Sequence, residues 1–495
     1  MRAASVDLDG TIKIEDAVTL TGNIDLANGS KIILGTGITA TETAFTVGDV
    51  VSTGTTTIEV STSFTSGTIV LFDSTADASG DLANLTIADT ALIDYTLAAN
   101  ANDIEITATA KTAETTAGEL GVSVQDARAL SNGSLAIATN NATLLTNLNA
   151  ALTAGGASAA KAAESIGVQA DTLGAGVNVA VSVGGRVIGI LSDRLASLRY
   201  GTQYASTGQT GFSSGNNGLS NAAWMKTFGN WINQDSDGGV SGFDANTYGV
   251  AFGMDTDVNE SSRAGISVSY ANSDVDGSGA GDSKADIDSF QVTAYTDYTG
   301  KNFYTEASLG YAYNKNDVSR VIDFSGTDTI ASGNYSSNQF VASIGGGIPI
   351  QIKNSAFFTP TAGLAWTSVL SESYTETGAG GLNQRVDIDN INVLLGSLGG
   401  KLHSQIKVGN AYLVPELRGG ISYDFIGDAA TATAKFTGGG SAFTVEGADV
   451  EQFGGNIGFG LTYTGDLWTV GASYDADMKS GYVSQTAQLK ARIKF

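Results

Sequence analysis

The sequence has 495 residues, with 64 Gly, 3 Pro, 1 His and no Cys, and a formal net charge of −25. A chain without cysteine has no disulfide framework, no cysteine zinc site and no thiol nucleophile, and its acidity argues against a nucleic-acid partner. A hydrophobic content of 42% is too high for a disordered acidic chain. We therefore predict a folded, glycine-rich protein of two or three regions, with no enzyme active site and no cofactor.

The N-terminus and the longest apolar run bear on targeting. Residues 1–5 are not followed by an apolar stretch, so the sequence as given predicts no secretory signal. That reading suits a cytosolic protein as well as a fragment of an exported one. The run Leu173–Leu191 contains Arg186, which costs about 2.5 kcal/mol or more inside a lone spanning helix. We predict no membrane-spanning helix.

Residues 1–110 contain short apolar or alternating stretches separated by Thr, Gly and Asp turns. Examples are Thr11–Ile14, Lys31–Leu34, Thr57–Val60, Thr68–Phe72 and Asp103–Ile106. Strands this short, with no helical pattern between them, indicate a parallel β-solenoid of stacked coils. A generic β-sandwich is the alternative, because the repeat is not strict.

Residues 111–200 are rich in Ala, Leu and Asn, and they predict a helical linker. Helices are expected at Ala129–Ala151 and Ala157–Leu173. Within residues 186–199 the apolar residues recur mostly at i, i+3 and i+4, which predicts an amphipathic helix. Its defining residues are Arg186, Val187, Ile190, Leu191, Arg194, Leu195, Leu198 and Arg199.

Residues 201–495 hold all four Trp and show sustained alternation of apolar and polar residues. Ile266, Val268 and Tyr270 alternate with serines, and Phe290 and Val292 alternate with Gln291 and Thr293. Two architectures produce this alternation: a sandwich with a dry centre, or a barrel with an apolar outside and a polar lumen.

The lengths of the connections separate these two architectures. Short turns are expected at Asp257–Ser262, Thr299–Asn302, Lys353–Ser355, Lys407–Asn410 and Thr464–Asp466, and long acidic loops at Gln234–Asp244, Asn272–Asp286, Lys315–Tyr335, Glu372–Asp387 and Gly427–Asp449. Regular short–long alternation is typical of an up-and-down membrane barrel. We predict an antiparallel barrel of twelve strands over residues 218–495. Aromatic girdles are expected at Trp224, Trp231, Tyr298, Phe303, Tyr463 and Trp468.

The last strand places its charged residues on one face and ends at Phe495 on the apolar face. In a barrel, that polar face lines the lumen. The candidate charges of the lumen are Glu306, Asp475, Asp477, Lys490, Arg492 and Lys494. In a sandwich the same cations would lie in water.

The order of these segments resembles autotransporters, the type V secretion proteins. The resemblance rests on an Ala-rich segment, the helix that contains Arg194-Leu195-Ala196-Ser197-Leu198-Arg199, a twelve-strand meander and the terminal Phe495. It implies an outer-membrane barrel whose pore is crossed by the linker helix, with residues 1–110 as the end of a β-helical passenger. It also implies that Leu489, Ile493 and Phe495 form a signal for the barrel assembly machinery.

The resemblance predicts a monomer in the bacterial outer membrane that exports and displays a passenger, whose ligands would be host or surface molecules. The pore helix would carry Arg186, Arg194, Leu195, Leu198 and Arg199. A passive diffusion pore is the alternative from another class, and a soluble adhesive β protein is a third hypothesis.

Other motifs are only weak indications of a cleavage site or a metal site. Asn140-Asn141 lies too far before the first barrel strand for cleavage inside a pore, and Asn216-Asn217 suits a loop. Asp235-Ser236-Asp237-Gly238 and Asp274-Val275-Asp276-Gly277 resemble calcium loops, but the second has Ala285 where a bidentate Glu is needed. His403 has no Cys or second His to join it, so we predict a passive role in the lumen or in packing.

Overall fold

The computed structural model describes residues 5–35, 38, 42–60, 66–138, 141–205, 222–353, 355–448, 451–465 and 468–493. In chain order, these residues form a stack of short strands, a group of helices and a large antiparallel sheet that closes on itself.

The first unit is a parallel β-solenoid. Its strands are β1 (Val6–Leu8), β2 (Thr11–Ile14), β3 (Val18–Thr19), β4 (Ile24–Leu26), β5 (Lys31–Leu34), β6 (Thr43–Val47), β7 (Val50–Ser52), β8 (Thr56–Val60), β9 (Gly67–Ser74), β10 (Leu85–Ile87), β11 (Ile93–Asn100) and β12 (Asp103–Ala110). Parallel sheets join β1, β4 and β7, and also β2, β5, β8 and β10. In the third sheet, β3, β6 and β9 are parallel, and β12 and β11 continue it antiparallel.

Apolar side chains stack from coil to coil in the solenoid interior. Ile32 pairs with Ile58 across neighbouring strands, and their side chains are 0% and 1% exposed. Phe45 and Phe72 pair in the same way, with ring centroids 5.4 Å apart. Each coil needs only apolar residues at its inward positions, so the coils can differ in length. This explains why the sequence repeat is not strict.

Five helices lie in the described residues that follow: α1 (Ala113–Leu120), α2 (Val124–Ala138), α3 (Ala142–Ala154), α4 (Gly156–Ile166) and α5 (Ala170–Ala205). The predicted helix Ala129–Ala151 is wrong in its bounds, because the Asn141 side chain accepts a hydrogen bond from Leu144 N (3.0 Å) and starts α3 as its N-cap. The predicted helix Ala157–Leu173 is also wrong, because Gly167 is extended and ends α4. Helix α5 has 36 residues and far exceeds the predicted 186–199, since packing inside the barrel stabilises its Ala- and Gly-rich first half.

The remaining strands are β13 (Ala222–Gln234), β14 (Phe243–Asn259), β15 (Ser262–Gly277), β16 (Lys284–Thr299), β17 (Tyr304–Phe324), β18 (Thr327–Gly347), β19 (Ile350–Lys353), β20 (Ala356–Ser371), β21 (Tyr374–Thr375), β22 (Gln384–Ile388), β23 (Ile391–Ser404), β24 (Ile406–Val408), β25 (Ala411–Asp424), β26 (Thr431–Phe436), β27 (Phe443–Glu446), β28 (Phe453–Thr464), β29 (Trp468–Lys479) and β30 (Tyr482–Ile493). Strand β30 pairs with β13, so the sheet closes into a barrel. Because β19 continues β18 and β24 continues β23, the barrel has twelve crossings. The predicted fold class is confirmed.

We call the end of the barrel at which β13 begins and β30 finishes the terminal end, and the opposite end the far end. Two predicted long loops at the far end, Asn272–Asp286 and Lys315–Tyr335, are wrong. Strands β17 and β18 pair up to Phe324 and Thr327, with Ser325 and Gly326 as a two-residue turn at φ 42° and 83°. A hairpin with both turn residues at positive φ matches strand twist, so it extends beyond the barrel without a loop.

The predicted loops Glu372–Asp387 and Gly427–Asp449 are also wrong. They contain β21, β22, β26 and β27, which form an antiparallel sheet, here called the far-end sheet. This sheet packs on α2 and contacts the end of α4, while α3 packs on α2 and α4, and we call the whole assembly the cap. Its most deeply buried core residues, at most 1% exposed, include Leu130, Leu148, Ile166, Leu382, Val386 and Phe436. Strands this short form because they bury apolar surface against the helices.

The barrel exposes a continuous apolar band. Its outward side chains are 43–65% exposed and include Phe252, Val268, Phe290, Leu309, Phe340, Leu364, Leu398, Leu417, Phe459 and Leu489. The intervening Ser267, Gln291 and Thr293 are 1–3% exposed and face inward. An apolar outside around a polar inside is the arrangement of a membrane barrel and rules out a dry-centred sandwich.

Four of the six predicted girdle residues lie at one end of the barrel, and Trp231 packs edge-on against Tyr248 on the neighbouring strand, with ring centroids 6.2 Å apart. Tyr298, Phe303, Tyr463 and Trp468 are 37–48% exposed at the terminal end. Trp224 is 8% exposed, and its Nε1 donates to Tyr295 Oη at 2.8 Å in the interior. The prediction for Trp224 is wrong, because its indole N–H finds a buried partner beside α5.

Candidate functional site in the barrel lumen

Helix α5 crosses the lumen from the far end to the terminal end. At about 1.5 Å per residue, its 36 residues extend about 54 Å, more than the ~30 Å hydrocarbon core of a bilayer. Its apolar side chains, Val183, Val187, Ile190, Leu191 and Leu195, are 0–5% exposed and pack on β14–β17. Residues Ala170–Arg199 are long and apolar enough to cross a membrane, and most of that stretch is buried inside the protein. Leu198 is partly buried.

Two predicted pore-helix arginines are buried with carboxylates. Arg194 binds Asp255 with both arms of its guanidinium, Nε at 2.8 Å and Nη2 at 3.0 Å. Arg199 donates to Asp297 at 3.3 Å and to Glu306 at 3.1 Å, and its guanidinium lies 3.7 Å from the centroid of the Tyr304 ring. Bidentate pairing and cation–π contact fix the position of the helix along the barrel axis.

The third arginine, Arg186, forms an ion pair with Asp477 on β29. Asp475, two residues before Asp477, accepts from Arg418 Nη2 at 2.9 Å. Arg418 Nη1 also donates to Asp193 on α5 at 3.0 Å. The structure therefore brings Glu306, Asp475 and Asp477 into the lumen with the arginines.

Lys226 on β13 also reaches α5. Its Nζ donates to the Ile190 carbonyl at 3.0 Å and lies 3.7 Å from Asp193. Lys490 stands opposite Lys226 on β30 and faces the lumen, whereas the neighbouring Leu489 is 65% exposed on the outer face. The backbones of Arg492 and Ile493 pair with β29. Lys494 and Phe495 lie outside the described residues.

The start of α5 is fixed to the barrel at the far end. Asp171 is 3% exposed and accepts hydrogen bonds from Ser283 Oγ at 2.9 Å and from Gly279 N at 3.2 Å. These two residues lie in the turn between β15 and β16. A carboxylate in the first turn of a helix also suits the helix dipole. Both ends of α5 are therefore held by charge-assisted contacts.

A buried arginine holds the cap. Arg320 on β17 binds both carboxylate oxygens of Glu376 at 2.9 Å. It also donates, at 2.9 Å each, to the carbonyls of Ser165 and Ile166 at the end of α4 and of Leu382 in the far-end sheet connection. The Arg320 side chain thus joins the barrel strand β17, the end of α4 in the linker, and the connection between β20 and β23.

Sequence reasoning missed Asp171, Lys226, Arg320, Glu376 and Arg418. Alternation alone would have placed Arg320 on the outside, because it shares one strand face with the apolar Ile322 and Phe324, whereas the structure buries all three. Lys226 reaches Ile190, 36 residues before it, and the other hydrogen-bond partners named above lie 56–225 residues apart in the chain. A single sequence carries no pattern that relates them.

The other candidate motifs hold no assembled site. Asp274 and Asp276 lie on β15, not in a loop, and Asp276 pairs with Lys284 at 3.4 Å. His403 is 2% exposed and stacks on Phe357 with centroids 5.3 Å apart. In the part of the chain that the structure describes, no three His, Asp or Glu side chains are arranged to hold a metal. Asn140, Asn216 and Asn217 lie outside the described residues.

Comparison with known proteins gives a consistent result. The family model "Autotransporter beta-domain" matches residues 223–475. "Outer membrane protein B" of Rickettsia typhi is 28% identical over 326 residues, which cover 62% of this chain and 20% of that protein. "Outer membrane protein A" of Rickettsia conorii is 26% identical over 281 residues, covering 55% and 14%. The chain therefore spans a fifth or less of the length of these relatives.

A solved structure, the translocator domain of the autotransporter NalP from Neisseria meningitidis, aligns with 66% of this chain and 100% of its own. The identity is 16% and the TM-score 0.48. The family match covers more than half of the chain and coincides with the closed, helix-filled barrel. The chain belongs to the autotransporter family, and its barrel is a translocator domain of the bacterial outer membrane.

Proposed function

We propose that the barrel exports the segment before it and displays the β-solenoid at the cell surface. The observation that carries this proposal is the course of α5, which fills the lumen and joins the two sides of the barrel. In this proposal the terminal end faces the periplasm and the far end the exterior. The solenoid stands at the far end, since Thr116 on α1 donates to the Ala91 carbonyl at 3.1 Å and Ala91 and Leu92 pack on the cap core.

The absence of native cysteine allows a direct test. Ser79→Cys lies on the exposed solenoid surface, and Asn302→Cys lies in an exposed turn at the terminal end. In intact cells, a membrane-impermeant maleimide should label the first variant and not the second, and lysis should expose both. Display is contradicted if Ser79→Cys reacts only after lysis, and the proposed orientation is contradicted if Asn302→Cys reacts in intact cells.

The finer proposal is that the displayed solenoid is adhesive and binds host or surface molecules. Its outward faces are rich in Thr, Asp and Glu, with ion pairs such as Lys31–Glu59, and they offer a long regular surface. Cells that display the full chain should adhere to a surface better than cells that carry residues 111–495 alone. Equal adhesion of the two kinds of cell would contradict the adhesive role but not the proposed display.

We also propose that this role requires no catalytic step and that the barrel assembly machinery inserts the chain. A diffusion pore is disfavoured because α5 and its ion pairs occupy the lumen. A soluble adhesive protein is disfavoured because the apolar band would face water.

A further inference from the structure

The exposed basic residues differ between the two ends of the barrel. Near the far end, the charged groups of Lys284, Lys315 and Arg385 lie 2.8–3.4 Å from the carboxylate of an aspartate. Each of these cations therefore already has an anionic partner within the protein. With 50 acidic and 25 basic residues in the chain, such a partner is easily found.

Three lysines at the terminal end have no such partner in the part of the chain that the structure describes. Lys301 lies in the turn between β16 and β17, Lys353 ends β19 before the turn to β20, and Lys407 lies in β24 beside the turn to β25. All three are exposed, and no described carboxylate lies within 4 Å of their Nζ atoms. These hairpins follow one another around the barrel, and we call the three residues the lysine arc.

The lysine arc borders the apolar band. Phe303, Ile352 and Val408 each lie one or two residues from a lysine of the arc and are 46%, 58% and 51% exposed. Because these side chains continue the band up to the turns, the lysines lie where the hydrocarbon core meets the lipid headgroups. At such a boundary a lysine packs its aliphatic stem on apolar surface and extends its ammonium into the polar layer.

The opposite edge of the band carries the opposite charge. Asp274, Asp286 and Asp317 are exposed on the outer face and lie directly across from one another on β15, β16 and β17. Anionic headgroups are therefore disfavoured at the far edge of the band and favoured at the terminal edge. This asymmetry distinguishes the two leaflets of the membrane that surrounds the barrel.

We propose that the lysine arc binds the phosphates of anionic phospholipids in the leaflet at the terminal end. Each ammonium group donates hydrogen bonds to phosphate oxygens, while the neighbouring apolar side chains contact the acyl chains. The partner is a lipid and not a soluble anion, because the lysines are continuous with the apolar band. In the proposed orientation this leaflet faces the periplasm, but lipid binding by the folded barrel does not depend on export.

The test measures the lipid selectivity of the full chain in vesicles of phosphatidylcholine and phosphatidylglycerol. Electron paramagnetic resonance of spin-labelled lipids gives the association constant of each lipid with the barrel surface. The wild type should prefer phosphatidylglycerol by at least about twofold at low salt. At about 1 M salt the Debye length falls to about 3 Å, so the preference should disappear.

The variants change charge at exposed positions, and each is shown to be folded by heat-modifiable migration in gels. Glutamine at the three positions should remove the preference, whereas arginine at the same positions should preserve it. The glutamine variant combines Lys301→Gln, Lys353→Gln and Lys407→Gln. The matched control removes the same net charge at the far end and should keep the preference; it combines Lys284→Gln, Lys315→Gln and Arg385→Gln.

A fluorescent probe locates the bound lipid. A dansyl group on Asn410→Cys, beside Lys407, should be quenched more by spin-labelled phosphatidylglycerol than by spin-labelled phosphatidylcholine. On Asn334→Cys, in the exposed part of β18 near the far end, phosphatidylglycerol should quench no more than phosphatidylcholine.

Four results would overturn the proposal: no preference in the wild type at low salt, a preference that survives in the glutamine variant, an equal loss in the far-end control, or stronger quenching by phosphatidylglycerol at Asn334→Cys. Displacement of the lipid by inorganic phosphate at constant ionic strength would also contradict it, because it would show a site for soluble anions. Failure of the export proposal is seen separately in the labelling of Ser79→Cys in cells.

Discussion

At the scale of single residues, buried charges in this barrel are paired. Arg194 with Asp255 and Arg320 with Glu376 are bidentate, and all four side chains are at most 5% exposed. A buried ion pair is weak evidence for net stability, but the loss of one partner is costly because the other charge stays buried. These residues therefore act mainly by fixing where α5 and the cap sit.

Arg194→Met should destabilise the folded barrel by about 3–5 kcal/mol, because Asp255 is left buried and unpaired. Adding Asp255→Asn should recover part of this loss. The readout is the temperature at which heat-modifiable migration is lost. The matched control is Lys315→Met, whose partner Asp317 is 54% exposed, and its cost should be below about 1 kcal/mol. Equal effects of the two variants would contradict the role of burial.

Asp126, which lies outside the barrel on α2, should make the stability of the cap helices depend on pH. Asp126 N donates to Ser123 Oγ at 3.1 Å and Ser123 Oγ donates to Asp126 Oδ2 at 2.6 Å, which caps α2. Burial raises the pKa of Asp126 to about 6, and the carboxylates of Glu164 and Asp171 add to the shift. A carboxyl with a higher pKa in the folded state binds its proton more tightly there.

The cap helices should therefore lose stability as pH rises from about 4 to about 6, by about 2–3 kcal/mol in the free energy of unfolding. Urea unfolding followed by helical circular dichroism over this range measures the effect. In Asp126→Asn this part of the pH dependence should disappear. If the free energy of unfolding falls equally with pH in both proteins, groups other than Asp126 cause the pH dependence.

At the scale of elements, α5 fits beside β18 because small residues face the wall. A Cβ on Gly184 would lie 2.6 Å from Gln339 Nε2 and 3.3 Å from Val341 Cγ2, whereas a Cβ on Gly185 would meet no atom within 4 Å. Gln339 Nε2 donates to the Ala180 carbonyl at 3.0 Å. The glycine at position 184 thus permits a contact that holds the helix against the strand.

Gly184→Leu should push α5 from β18 and cost about 1–3 kcal/mol through overpacking. Gly185→Leu should be neutral or slightly stabilising, since leucine favours a helix over glycine by up to about 1 kcal/mol. Heat-modifiability midpoints of the two folded variants give the comparison. If both leucines destabilise equally, close packing on this face does not position the helix.

At the scale of the whole molecule, three units with different chemistry share one chain. The solenoid buries aliphatic ladders, the cap buries a core made from distant segments, and the barrel turns its apolar residues outward. Strand β30 pairs with β13, so closure of the barrel requires both ends of the sheet.

Deletion of Phe495 should sharply reduce insertion into the outer membrane, as the family resemblance implies for a terminal assembly signal. The measurement is the amount of heat-modifiable protein in outer-membrane fractions. Lys494→Ala, at the neighbouring position, is the control and should insert normally. Normal insertion without Phe495 would contradict the assembly signal.

Several features could be predicted from the local sequence pattern because they depend only on residues that are near one another in the chain. Alternation places Phe290 and Val292 on one strand face and Gln291 on the other in any register. Turn residues and aliphatic ladders likewise predict the solenoid. The candidate carboxylates Asp475 and Asp477 were identified because they occupy polar positions on predicted strands. Period and polarity, together with the lengths of the connections, predict the barrel, its strand number and its helical linker.

The tertiary structure alone decided which distant residues meet. The far-end strands are only 2–6 residues long and form because α2 and the end of α4 cover them. The length of α5 depends on the barrel that surrounds it, and Trp224 turns inward because Tyr295 offers its indole N–H a partner. The pairing of Arg320 with Glu376 and the contacts of α5 with the barrel wall join remote segments of the chain. Such contacts depend on shape complementarity and desolvation in three dimensions, which local period and composition do not specify.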